Sequence, residues 1–151
     1  MKKLLLTSTL FVVGMTLSFA VEQVISFGRL PEEIQVYTRK YFPAGDDAYR
    51  NAFITYDNEL PEAAYTIVFT SGDGLEFREN KELKLYSAKT TTVPWEVMPA
   101  AVAESLGKSY PTAAVKKYEV VYVTLTTRQY EVELTDGTQL VYNEAGELVT
   151  Q

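Results

Sequence analysis

Apolar and polar residues alternate most clearly near the end of the chain. From Tyr130 to Tyr142 the sequence reads YEVELTDGTQLVY, with apolar residues at every second position on either side of Asp136-Gly137. Such alternation is typical of strands with one buried face, and an Asp-Gly pair between two alternating runs is typical of a tight turn. The segment therefore predicts a β-hairpin.

The same pattern occurs sixty-five residues earlier, where the sequence from Tyr65 to Phe77 reads YTIVFTSGDGLEF. Chance alignment of two alternating runs would reproduce the apolar positions, but here a glycine of the turn matches as well. The earlier positions that match the later hairpin at this one offset are Tyr65, Ile67, Phe69, Gly72, Leu75 and Phe77.

An amphipathic helix is predicted ahead of each hairpin. Apolar residues recur at three- and four-residue steps on one predicted helix face. They are Ile34, Tyr37 and Tyr41 after Pro31, and Val102, Leu106 and Tyr110 after Pro99. Proline suits the start of a helix, and a residue before proline is driven out of the helical conformation. Phe42-Pro43 and Tyr110-Pro111 therefore end the two helices, and a loop is predicted for residues 44–50.

The order helix, strand, strand, turn, strand, strand occurs twice. It predicts an α+β fold of two tandem repeats, about 30–87 and about 98–151. Each repeat is predicted to be a helix packed on an antiparallel sheet of about four strands, and the two to form one shared curved sheet. The domain spans residues 30–151, after a lead-in segment at 21–29.

The first twenty residues follow a different pattern. Lys2 and Lys3 precede an almost unbroken apolar run from Leu4 to Leu17, and the small-x-small sequence Ser18-Phe-Ala20 follows. This order predicts a signal peptide, residues 1–20, that is cleaved near Ala20. The apolar run is shorter than the ~20 residues of a spanning helix, so we expect no membrane anchor after cleavage. The predicted location is the periplasm or the secreted medium.

The composition excludes several classes of chemistry. The chain has no cysteine and no histidine, so it lacks a thiol nucleophile, a Ser-His pair and the usual zinc ligands. Without Lys2 and Lys3, twelve basic side chains remain against 20 acidic ones, a net charge of −8. Such a domain does not suit a nucleic-acid partner. No calcium-loop spacing occurs, and we predict no catalytic residue, no metal and no cofactor.

The chain resembles the PepSY-like family of exported Gram-negative proteins, also called β-lactamase-inhibitor-like, over roughly residues 30–149. The resemblance rests on Leu30-Pro31, Tyr41-Phe42-Pro43, Gly72, Met98-Pro99, Tyr110-Pro111, Gly137 and Asn143-Glu-Ala-Gly146. It implies two helix-and-sheet repeats, a periplasmic or secreted location and no catalytic residues. The cysteines of the true inhibitor are absent here, and no inhibitory loop can be matched. We therefore expect no inhibition of a β-lactamase.

The sheet face that the helices leave uncovered is the candidate binding surface. If the odd-numbered residues from Val121 to Leu125 point inward, the tyrosines of the same strand point outward, beside glutamates of the next strand. Tyrosine is enriched in interface hot spots. The predicted binding residues are Tyr86, Tyr118, Tyr122, Glu131 and Glu133, with Asp73 in a hairpin turn as a further candidate. The alternatives are tyrosines packed across strands, a reversed orientation, and an Asp73 that serves only the turn.

These features predict a non-catalytic protein-binding module rather than an enzyme. Its partner would be a protein outside the cytoplasm, for example a periplasmic or secreted enzyme whose cleft it blocks. One alternative is a structural or chaperone-like envelope protein. Another is a small-ligand carrier with a pocket between the repeats. A deep pocket lined by Glu131 or Glu133 would favour a carrier or a carboxylate enzyme.

Overall fold

A computed structural model of the protein describes residues 22–150. The predicted signal peptide lies outside these residues. Within them, nine strands form one sheet in which each strand pairs antiparallel with its neighbour along the chain. The strands are β1 (Gln23–Val24), β2 (Phe53–Tyr56), β3 (Tyr65–Val68), β4 (Gly74–Phe77), β5 (Leu83–Ser87), β6 (Val115–Tyr122), β7 (Arg128–Leu134), β8 (Gln139–Asn143) and β9 (Leu148–Thr150).

Three α-helices accompany the sheet: α1 (Glu32–Tyr41), α2 (Asp46–Asn51) and α3 (Ala100–Ser109). Pro31 and Pro99 directly precede α1 and α3, and each of these helices ends before the next proline in the chain, as predicted. Short 3-10 turns lie at Phe27–Arg29, Pro61–Ala63 and Trp95–Val97. The predicted α+β class is therefore confirmed.

Helix α2 occupies the segment predicted to be a loop. Gly45 precedes it, and the carboxylates of Asp46 and Asp47 lie in its first turn, where the helix dipole favours negative charge. Tyr49 anchors it, because the Tyr49 hydroxyl donates a 2.6 Å hydrogen bond to the carbonyl oxygen of Phe42. The Tyr49 ring also packs against Phe27, with 4.7 Å between ring centroids. Tertiary contacts thus stabilise a helix too short to form alone.

One core lies between the helices and one face of the sheet. Ile34 of α1 and both Val102 and Leu106 of α3 are fully buried in it. The sheet contributes alternate residues of each central strand, as a half-buried sheet requires. They include Ile54, Ile67, Leu75, Phe77, Tyr86, Tyr118, Val132 and Leu140. We call this side of the sheet the core face and the other side the open face.

Candidate functional site

Strand β6 decides which side chains reach the open face. Val115 is buried in the core, and regular alternation from Val115 would turn the other odd-numbered residues of β6 inward too. Instead, the register shifts between Val115 and Lys117, where Lys116 is an extra residue. Such a bulge exchanges the two faces of the strand beyond it. Tyr118 therefore lies opposite Val132 on the core face.

The prediction that Tyr86 and Tyr118 point outward is consequently wrong. Their exposed fractions are only 1% and 2%, and they are paired neighbours on β5 and β6. The Tyr86 hydroxyl donates a 3.0 Å hydrogen bond to the carbonyl oxygen of Tyr41 at the end of α1. Burial raises the pKa of both phenols. These two tyrosines join the halves of the core.

Asp73 also lies inside the fold, with an exposed fraction of 1%. Its carboxylate accepts hydrogen bonds from the Ser71 hydroxyl at 2.5 Å and the Thr90 hydroxyl at 2.6 Å. The backbone amides of Lys89 and Thr90 donate to it as well. Asp73 therefore ties the β3–β4 hairpin to the segment that follows β5. Its carboxylate does not face solvent as a partner-binding loop would require.

Tyr122, at the end of β6, was also predicted to point to the open face, and this is wrong, because it lies on the same side of the strand as Tyr118. It is half-buried between two arginines. The guanidinium carbons of Arg78 and Arg128 lie 4.4 Å and 5.0 Å from its ring centroid. Its hydroxyl accepts a 2.8 Å hydrogen bond from Arg128 and donates one of 2.6 Å to Glu82. That bond from Tyr122 is the main reason why the pKa of Glu82 is lowered.

Arg78 is the other buried member of this group, with an exposed fraction of 4%. Its Nε donates a 2.8 Å hydrogen bond to Glu62, and its Nη2 donates one of 2.7 Å to the carbonyl oxygen of Val120. Its Nη1 is buried without a hydrogen-bond partner among residues 22–150, and its guanidinium lies near the Tyr122 ring. Arg78 and Tyr122 are 44 positions apart, so sequence patterns carried no signal for this cluster.

We expect Tyr122→Phe to lower the free energy of unfolding by about 1 kcal/mol, because two hydrogen bonds are lost while the ring stays between the arginines. Urea denaturation of both proteins at low salt and in 1 M NaCl measures this. The difference should shrink at high salt, since both lost hydrogen bonds join the hydroxyl to charged side chains, whose interactions salt screens. An unchanged midpoint at low salt would show that this hydroxyl contributes nothing.

The open face carries the other predicted residues. Glu131 and Glu133 lie there, because β7 alternates regularly with Tyr130 and Val132 on the core face. Glu133 forms a 3.1 Å ion pair with Lys116. Glu131 is exposed and makes no ion pair within residues 22–150. Glu76 of β4 and Glu119 of β6 lie in the same row across the sheet as Glu131. Glu76 forms an ion pair with Lys84, and Glu119 forms one with Lys117.

An apolar strip flanks these charges at the β1–β3 end of the open face. Phe53 and Val68 are paired neighbours on β2 and β3 with exposed fractions of 55% and 42%. Val24 of β1 adds a third exposed apolar side chain. The sequence prediction placed the binding surface on tyrosines and glutamates of β5, β6 and β7, and the strip was missed.

The depression between Glu131 and Glu133 has a volume of about 240 Å³ and is lined also by Lys117, Gln139 and Val141. That is below the range of roughly 300–1,000 Å³ of small-molecule pockets. Within residues 22–150, no three acidic side chains are grouped to hold a metal ion. No helix in this range is long and apolar enough to span a membrane.

Comparison with known proteins gives a family and a fold. Residues 63–150 match a family model described as "Putative beta-lactamase-inhibitor-like, PepSY-like". No curated protein matches the chain.

Three solved structures have the same fold, with sequence identities of 19–24%. One is described as a putative periplasmic protein of the DUF2874 family from Bacteroides vulgatus, with a TM-score of 0.65 and 22% identity over 86% of this chain and 95% of that chain. A second, described as a putative calcium-regulated periplasmic protein from Bacteroides thetaiotaomicron, has a TM-score of 0.66 and 24% identity over 85% and 94%. A third, a putative periplasmic protein of unknown function from Bacteroides vulgatus, has a TM-score of 0.65 and 19% identity over 85% and 97%.

Proposed function

Because the chain belongs to the PepSY-like, β-lactamase-inhibitor-like family, we propose that it is an exported, non-catalytic module that binds a protein through its open sheet face. The periplasmic descriptions of the similar structures support the location. The proposal includes the tandem-repeat origin of the fold, since α1 and α3 each follow a proline and each precede four strands.

The exposed apolar strip carries this proposal. Val24, Phe53 and Val68 leave apolar side chains in solvent side by side on three neighbouring strands. Exposed apolar surface rimmed by polar residues marks interaction sites in soluble proteins. The helices already cover the core face, so the open face offers the broad surface that a folded protein partner needs.

The charges of the open face define the partner's chemistry. Glu76, Glu119 and Glu133 are neutralised in part by lysines, whereas Glu131 remains unpaired within the described residues. With the net negative charge of the chain, this favours a partner with an apolar patch bordered by lysines or arginines. The family description suggests an enzyme of the same compartment as that partner. The description of the Bacteroides thetaiotaomicron protein as putatively calcium-regulated is not part of the proposal, because no three acidic side chains of residues 22–150 are grouped to hold a metal ion.

Phe53→Asp should weaken partner binding at least about tenfold, the loss expected from removing an interface anchor and burying a charge. The mature wild-type protein and the variant are compared by capture from a periplasmic extract of the producing bacterium, followed by titration with the purified partner. Val36→Asp is the matched control, because Val36 on α1 is equally exposed, at 57% against 55%, but lies on the helix side.

Of the two aspartate variants, only Phe53→Asp is predicted to reduce binding. A second variant, Glu131→Lys, should lower the association rate and its salt dependence through the lost charge attraction. If Val36→Asp reduces binding as strongly as Phe53→Asp, or if neither does, the open face is not the binding surface. Circular dichroism of all three variants shows whether the fold is kept.

A further inference from the structure

A groove of about 420 Å³ lies on the helix side of the molecule, between α1 and the segment that begins α3. Tyr37 of α1 forms one side, and Val97, Met98 and Pro99 form the other. Tyr118, Val120 and Tyr130 of the sheet lie beneath them. Its volume falls within the range of small-molecule sites, unlike that of the depression on the open face.

Side chains that can donate a hydrogen bond outnumber those that can only accept one in this groove. Three tyrosines, Arg128 and Lys81 line it, and Glu82 is the one carboxylate among its described lining residues. That carboxylate already accepts hydrogen bonds from Tyr122 and Arg128. Such a donor-rich groove is unusual for a chain with a net negative charge, and it favours a ligand that supplies acceptor oxygens.

Tyr37 gives the strongest sign of an absent acceptor. Its hydroxyl is buried and has no hydrogen-bond partner within the described residues. A buried hydroxyl without a partner costs about 1–3 kcal/mol, so a phenylalanine would pack here at lower cost. The ring itself is well held, because it makes an edge contact with Phe77 at 5.5 Å between centroids. The Tyr37 hydroxyl therefore makes no contact in the described residues that would stabilise the fold.

The protonation of these phenols suits the same role. Burial raises the pKa of Tyr37 and of Tyr118, and burial raises the pKa of Tyr130 as well. All three hydroxyls therefore keep their protons at neutral pH and are able to donate hydrogen bonds. The rest of the groove is apolar, with Leu83, Val97 and Met98 available to cover a hydrocarbon or an aromatic ring.

We propose that this groove binds a small apolar molecule that carries a carboxylate. The carboxylate oxygens accept hydrogen bonds from the Tyr37 hydroxyl and from the neighbouring donors of the groove, and the apolar part lies against Leu83 and Met98. This site is separate from the open face and does not depend on the proposed protein partner.

The test uses 4-phenylbutyrate as a probe and neutral 4-phenylbutanol as its matched control, each titrated into the mature protein by calorimetry. We expect one site for 4-phenylbutyrate and at least tenfold weaker binding of the alcohol. Tyr37→Phe should weaken 4-phenylbutyrate about tenfold and, without ligand, raise Tm by about 3 °C, because an unsatisfied hydroxyl is removed. Tyr56→Phe, on β2 and outside the lining of the groove, should change neither quantity.

Two results would overturn the proposal. One is equal affinity for the acid and the alcohol, or no binding of either below millimolar concentration. The other is a Tyr37→Phe variant that is more stable but binds 4-phenylbutyrate as well as wild type. Phe53→Asp should retain 4-phenylbutyrate binding, which separates failure of this site from failure of the open face.

Discussion

Replacement of Gly146 by alanine is expected to lower the free energy of unfolding by about 3–4 kcal/mol. Two costs add up in this figure: the strain of a left-handed backbone at alanine and the overpacking caused by the added methyl group. Gly146 lies in the turn between β8 and β9 with φ +77°. An added Cβ would lie 2.3 Å from the carbonyl oxygen and 2.6 Å from the carbonyl carbon of Ala101. These are backbone atoms of α3, so relief requires a displacement of the whole helix or of the turn.

Gly137→Ala is the matched control for this prediction. Gly137 has φ +89°, also in a hairpin turn, but an added Cβ would meet nothing within 4 Å. Gly137→Ala should lower the free energy of unfolding by only about 1 kcal/mol, the cost of backbone strain alone. Urea denaturation of the three proteins measures the difference. Similar losses for Gly146→Ala and Gly137→Ala would show that the close approach of the turn to α3 is unimportant.

We expect Asp73→Asn to lower the free energy of unfolding by about 2 kcal/mol at pH 7. This is close to the free energy that corresponds to the lowered pKa of the Asp73 carboxyl group. Burial by itself would raise the pKa of Asp73, but hydrogen bonds from Ser71, Thr90 and Lys89 outweigh it and lower the pKa from 3.8 to about 2. An asparagine keeps the shape but turns an amide NH₂ toward groups that all donate.

The pH dependence of this effect has a definite sign. A carboxyl group whose folded pKa is depressed contributes stability above its unfolded pKa and loses it as the pH falls through the folded pKa. The contribution of Asp73 is therefore complete above about pH 4 and lost toward pH 2. Urea denaturation should show that the difference in free energy of unfolding between wild type and Asp73→Asn disappears as the pH falls over this range. Asp136→Asn, at an exposed turn, is the control that should change stability little, and a gap that persists at pH 2 would contradict the prediction.

The helices were predictable because their signals are local. Pro31 and Pro99 mark the starts of α1 and α3, and apolar residues at helical spacing follow each proline. Helix α2 was not predictable in this way, since its short sequence has no apolar periodicity. Its anchor is the contact of Tyr49 with Phe27 and Phe42, which the chain brings together only when it folds.

The candidate site was predicted in part. Glu131 and Glu133 lie on the open face because β7 alternates without interruption. Tyr118 and Tyr122 were assigned to that face wrongly, because the orientation of β6 depends on the bulge at Lys116. Tyr86 of β5 was assigned there wrongly too, since it pairs with Tyr118 on the core face. A bulge leaves almost no trace in a single sequence, since one extra residue still reads as a continuous strand. The exposed strip of Phe53 and Val68 depends in the same way on strand pairing.

The sequence by itself determined helices α1 and α3 and the two hairpins with their turn chemistry, as the hairpin from Tyr130 to Tyr142 shows. Alternation and an Asp-Gly turn depend on residues next to each other in the chain, and so they can be read from it. Only the tertiary structure decided which face of β6 is buried, that the Asp73 carboxylate meets Thr90, and that Arg78 packs on Tyr122. These contacts join distant residues, and their geometry is set by strand register, where a shift of one residue exchanges the core face for the open face.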